Sequence, residues 1–102
     1  MIDVQRWLGT SPPTEQELRQ TMQDEGLSPY TWSNGPGDRY SAHSHSYHKV
    51  LYCLRGSIRF VDESAGRPID LEPGDRLDIP PATPHSALVG PEGVTCLEAQ
   101  KK

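Results

Sequence analysis

All four histidines of this 102-residue chain fall in two places. His43, His45 and His48 lie within six residues, and His85 follows forty residues after His45. In an extended strand, residues two apart point to the same side. His43 and His45 therefore aim their imidazoles at one point. Imidazole suits Zn, Cu, Ni and Fe alike. Two ligands from one strand do not enclose an ion, so a third must arrive from another strand. His48 is odd in register against His45 and points outward on a regular strand; a bulge at Ser46-Tyr47 would turn it inward as a replacement ligand. Tyr47 has the inward parity and can line a pocket.

The elements that carry these residues divide near Gly26 into an N-terminal helical segment, 1–26, and a β-rich domain, 27–102. The helix starts at Thr14, whose hydroxyl can cap a free N–H while Glu17 reaches back to it, a capping box. Leu18 and Met22 sit one turn apart and face the body of the protein. Gly26 is a natural stop, and Asp24 and Glu25 lie at the unfavourable end of the helix dipole, which predicts fraying. After Leu27, turn signals recur at Asn34-Gly35-Pro36-Gly37, Arg55-Gly56, Glu63-Ser64-Ala65-Gly66, Glu72-Pro73-Gly74-Asp75, Pro80-Pro81 and Gly90-Pro91-Glu92-Gly93. They predict strands near 28–32, 39–45, 49–54, 57–61, 68–71, 76–79, 85–89 and 94–99. Many short, evenly spaced strands indicate a sandwich or barrel. Strand 49–54 is apolar on both faces: Leu51 and Cys53 can face inward, so Val50, Tyr52 and Leu54 must be covered by the helix or by a second subunit. The latter option makes a homodimer an expectation.

Two stretches resemble the motifs of the cupin superfamily. The first motif runs glycine, five residues, His-x-His, three or four residues, glutamate, six residues, glycine. Here Gly37, His43, His45, Lys49 and Gly56 stand at those places. The second runs glycine, five residues, Pro-x-Gly, two residues, histidine, three residues, asparagine. Here Gly74, Pro80, Ala82, His85 and Val89 occupy them. The resemblance implies an all-β fold, a cupin-type antiparallel β-sandwich barrel (jelly roll) with a short N-terminal helix. It also implies that His43, His45 and His85 converge as ligands of one divalent transition metal, whether Zn, Ni, Fe, Mn or Cu.

Lys49 replaces the family's glutamate. At ~6 Å and an effective dielectric near 20, its repulsion of a divalent ion is of order 5 kcal/mol. Lys49 then loses its proton and acts as a base or ligand, swings away to leave a three-histidine site with open positions, or stays charged and keeps the metal out. The second outcome is the one expected. Three neutral imidazoles leave the metal charge uncompensated, so a small anionic ligand such as a carboxylate or enolate is the expected substrate, with Lys49 and Tyr47 beside it.

The remaining signals are plainer. Ten Lys+Arg against 14 Asp+Glu give a net charge of −4, which argues against nucleic-acid binding; the pair Lys101-Lys102 is too short to change this. Cys53 and Cys96 form no CxxC pair and read as two buried thiols in a reducing compartment, with a redox thiol or a soft metal ligand as the sharper reading. No secretory or membrane segment is visible, so a cytoplasmic location with no membrane partner is expected. Tyr30 and Trp32 read as core or subunit contacts, Arg39 as solvated, Asp75 as a turn cap, and Glu98 as the exposed end of the last strand. Two functions stand: a metal-dependent enzyme acting on a small anionic molecule, or a non-catalytic module that binds or senses a small ligand, with or without metal.

Overall fold

The computed structural model describes residues 1–101; Lys102 lies outside the described residues. In chain order the elements are β1 (Asp3–Gln5), α1 (Glu15–Asp24), β2 (Tyr30–Asn34), β3 (Arg39–His43), β4 (His48–Asp62), β5 (Arg67–Leu71), β6 (Arg76–Ile79) and β7 (His85–Lys101). All strand pairings are antiparallel, as the sandwich-barrel expectation requires.

Two long strands organise everything else. β4 and β7 pair along their whole lengths. The first half of β4 adds β6 and then β1, while the second half adds β5. The second half of β7 adds β2, while its first half adds β3. The result is two faces, β1-β6-β4-β7-β2 and β5-β4-β7-β3, sharing their two central strands. Leu51, Cys53, Ile58, Phe60, Leu77, Ile79, Val89 and Cys96 fill one core between the faces.

Arg55-Gly56 and Gly90–Gly93, read from sequence as turns, do not end strands. Each is a bulge inside a continuous one, where the β4–β7 register shifts on either side of Arg55-Gly56. The physical reason lies at Gly56 and Gly93. Both have positive φ, and a Cβ on Gly56 would overlap the Gly93 carbonyl oxygen. Two glycines therefore let two long strands bend together at one point without breaking.

β1 was not foreseen. Its three residues are too few and too polar for a strand signal, but Ile2 beside it is fully buried. The loop after β1 is held by Asp75, whose carboxylate accepts from the backbone N–H groups of Trp7 and Glu72, each at 2.9 Å. Asp75 thus caps its turn as expected.

The helix carries the capping box, with Glu17 N–H donating to Thr14 Oγ1 at 3.1 Å and Thr14 N–H to Glu17 Oε1 at 2.9 Å. Leu18, Met22 and Leu27 pack onto Val50, Tyr52, Leu54, Leu97 and Ala99. Burying each of the larger side chains is worth roughly 1.5–3 kcal/mol. The helix therefore covers the apolar outer face of β4 that sequence alone left open to a second subunit. Its acidic end does not go uncompensated: Arg76 Nη1 meets Glu25 Oε2 at 2.6 Å, and Arg76 also donates to Tyr52 Oη and the Asp78 carboxylate. No helix among the described residues is long and apolar enough to cross a membrane.

The bend at Gly56 yields the first prediction. Gly56→Ala should lower stability by at least about 2 kcal/mol, because left-handed strain adds to a backbone clash. Gly66→Ala, also at positive φ but with open space around its Cβ position, should cost only about 1 kcal/mol. Urea unfolding of both variants checks the ranking; equal losses would contradict the close approach.

Candidate metal centre

Two neighbouring strands and the loop after one of them build the site. β3 ends at His43, whose register partner is His85 at the start of β7. His45 lies two residues beyond the end of β3. Its carbonyl accepts from the Ala82 N–H at 2.7 Å, tying this loop to the turn that leads into His85. Ala82 stands where the second motif has glycine. It adopts φ +58, the left-handed region, alone among the described non-glycine residues. The glycine requirement is thus still felt by the backbone, and this chain meets it with strain of about 1–2 kcal/mol.

The three rings meet. Ring centroids lie 4.5 Å apart for His43 and His85, 4.8 Å for His43 and His45, and 5.3 Å for His45 and His85. One nitrogen from each ring lies within 4.8 Å of the others. The His85 Nδ1–H donates to the Thr83 carbonyl at 2.8 Å, and the His43 Nδ1–H to the Ser41 carbonyl at 2.6 Å. A carbonyl only accepts, so both rings carry a proton on Nδ1, which makes Nε2 the nitrogen available to a metal. Burial lowers the pKa of His45 and of His85, and the positive fields of Lys49 and His43 push the same way. For His85 the Thr83 bond opposes this but does not prevail. Both shifts favour the neutral form that ligates metals.

The decisive feature is what the free nitrogens lack. Nε2 of His45 and Nε2 of His85 are buried with no hydrogen-bond partner among the described residues. Buried polar atoms are rarely left in that state. Two ring nitrogens, both unpartnered and converging with a third imidazole, fit a divalent transition metal. Three histidines are thus positioned to hold one.

Other sequence expectations are corrected here. Glu98 is not an exposed strand end; it is 5% exposed and lines one cavity with His43, His45 and His85. Its carboxylate accepts from Tyr30 O–H at 2.5 Å and from Trp32 Nε1–H at 3.0 Å. Trp32 packs against the core as expected, and both Tyr30 and Trp32 also line the cavity. The signal was present: Glu98 shares parity with Cys96 and Val94, and β7 runs on past it. Lys49 does not swing away. Its Nζ lies 3.5 Å from Glu98 Oε1, and it lines the cavity with the histidines. A counter-charge that the strand boundaries hid removes the reason for Lys49 to leave.

Tyr47 lines the cavity too, with its ring stacked on His45 at 4.8 Å between centroids. His48 keeps its outward register and donates from Nε2 to Asp78 Oδ2 at 2.9 Å, outside the site. Arg39 is exposed. Cys53 and Cys96 are fully buried register partners on β4 and β7. Burial pushes the Cys53 thiol up to about 12 and the Cys96 thiol higher still. Burial thus disfavours both thiolates, and neither cysteine belongs to the histidine cluster or lines its cavity.

The cupin-domain family matches residues 31–97. Quercetin 2,3-dioxygenase from Bacillus subtilis (strain 168) is 45% identical over 56 residues, 53% of this chain and 16% of that protein. The chain thus spans only a small part of that curated relative. Among solved structures, the DMSP lyase DddQ from Ruegeria pomeroyi DSS-3 superposes with a TM-score of 0.67 at 25% identity, over 74% of this chain and 38% of the other. KdgF from Halomonas sp. superposes with a TM-score of 0.61 at 19% identity, over 99% and 81%; that likeness concerns the fold alone.

The strained turn supplies the second prediction. Ala82→Gly should relieve left-handed strain and raise stability by up to about 1 kcal/mol, after allowing for the extra freedom of glycine in the unfolded chain. Thermal and urea unfolding check it. A loss of stability would show that Ala82 is not strained.

Proposed function

The chain belongs to the cupin family, and on that premise we propose that it is a metal-dependent enzyme acting on a small anionic molecule, a carboxylate or an enolate. The centre is held by His43, His45 and His85. The observation that carries this reading is the pair of buried, unpartnered Nε2 atoms on His45 and His85. Cupins commonly bind a divalent metal, and the donor set here is imidazole throughout, which suits a transition metal.

A metal bound there would supply Lewis-acid polarisation of an oxygen ligand. The chain's own residues do the rest. Thr83 and Ser41 carbonyls fix two of the rings through their Nδ1–H groups. Lys49 adds a positive charge to the cavity, and Glu98 holds that charge in place at 3.5 Å. Tyr47 covers the His45 ring and limits solvent on that side. The similar proteins include a dioxygenase and a lyase. One fold therefore serves different reactions, and the substrate must be argued from the site. Three neutral ligands, with Lys49 and Glu98 cancelling, leave the ion's charge for an anionic oxygen to satisfy.

Protein purified without a metal-chelating tag should contain about one transition-metal ion per chain by elemental analysis, since such binding is coupled to folding. Metal-free protein should melt at a higher temperature when the ion is restored, a gain of about 4 kcal/mol at a thousandfold excess over Kd. His45→Ala and His85→Ala should lose both the ion and the thermal response. A wild-type protein that neither retains nor responds to Zn, Ni, Mn, Fe or Cu would contradict the reading and favour a metal-free binding module.

A further inference from the structure

The same cavity contains a second polar device, made of two opposite charges. Lys49 and Glu98 are only 8% and 5% exposed. They come from neighbouring strands, β4 and β7, where Glu98 is the register partner of Leu51, two residues from Lys49. Burying such a pair gains little stability, because lost hydration offsets the attraction.

The pair is asymmetric in its hydrogen bonding. Both carboxylate oxygens of Glu98 are engaged, Oε2 by the Tyr30 hydroxyl and Oε1 by the Trp32 indole N–H. Lys49 has three donors, yet its one close polar neighbour among the described residues is Glu98 Oε1 at 3.5 Å. Each Glu98 oxygen already accepts from a neutral donor, whereas Lys49 has only the 3.5 Å ion pair. Of the two charged groups, Lys49 is therefore the one with hydrogen bonds left to give a ligand. A ligand with an anionic oxygen gives the ammonium both a hydrogen bond and a counter-charge, whereas a neutral acceptor gives the hydrogen bond alone.

The rest of the cavity sets the shape. Its volume is about 350 Å³, and Trp32, Tyr40, Tyr47 and Phe60 contribute aromatic wall. That is the small end of the roughly 300–1,000 Å³ range of ligand pockets. Aromatic walls pack best against flat, apolar bodies.

We propose that Lys49 and Glu98 form the ligand-selecting pair of this cavity, which takes a flat, single-ring acid with one carboxylate. Lys49 receives the carboxylate. Glu98 is a positioning residue: it holds the ammonium at the cavity wall and tempers its charge. This deepens the reading of the site as an anion-binding metal centre and rests on it.

Benzoate and benzamide have one shape and differ by one charge, so the ratio of their dissociation constants isolates selection by charge. Calorimetric titration of zinc-loaded and metal-free protein with both probes gives that ratio for wild type, Lys49→Met and Glu98→Gln. Wild type should favour benzoate at least tenfold. Lys49→Met should reduce that preference at least tenfold, and Glu98→Gln should raise it several-fold. Opposite directions follow from charge alone, whereas a merely structural role would loosen the cavity and weaken both probes in both variants. Lys49→Gln replaces the methionine variant should that one not fold. Ratios moving the same way, a wild type indifferent to charge, or binding of neither probe would overturn the proposal. Zinc bound without this pattern sinks the selecting pair alone. The pattern in protein that takes up no zinc sinks the metal centre and leaves the pair standing.

Discussion

A buried ring nitrogen with no hydrogen-bond partner is unfavourable, because water would have satisfied it in the unfolded chain. Two such atoms, Nε2 of His45 and of His85, sit side by side in this barrel. Much of the surrounding structure serves to keep them there. The β3–β7 pairing sets His43 opposite His85. The Ala82 N–H holds the His45 loop by its carbonyl. The Thr83 carbonyl fixes the His85 proton on the far side of the ring. An arrangement that bears both unpaired atoms and a left-handed alanine gives up stability locally, and a bound ion is the partner that would return it.

The charges around the histidines form a balanced set. The family's glutamate is absent from position 49, and a carboxylate instead enters from position 98 on the next strand. It meets Lys49 rather than the histidines. The protein's own contribution to the cavity is then near neutral, so an ion held by three imidazoles keeps its charge for a ligand. Tyr30 and Trp32 complete the arrangement by donating one hydrogen bond to each Glu98 oxygen, while Lys49 keeps donors for a ligand.

The histidine convergence was legible in the sequence because it depends on parity and spacing, which survive errors in strand boundaries. His43 and His45 two apart, and the placing of Pro80 and His85, sufficed. The helix was equally legible from its capping box and its Leu18–Met22 face. Glu98 was not, because its role depends on how far β7 extends and which strand lies beside it. The turn signals place the last strand at 94–99, which puts Glu98 near its end, whereas β7 runs on to Lys101. The glycines at 56 and 93 misled for the same reason: a close approach of two backbones resembles a turn when only one strand is in view. Lys49 was flagged as the departure from the motif, but its partner sits 49 residues away in the chain and only the pairing of β4 with β7 brings them together.

Diffraction from crystals of metal-loaded protein, collected on both sides of the ion's absorption edge, tests the central claim most directly. A single anomalous peak should lie within bonding distance, roughly 2.0–2.3 Å, of Nε2 on His45 and on His85 and of a nitrogen on His43. A peak away from these rings, or none while both Nε2 atoms remain unpartnered, would contradict the account.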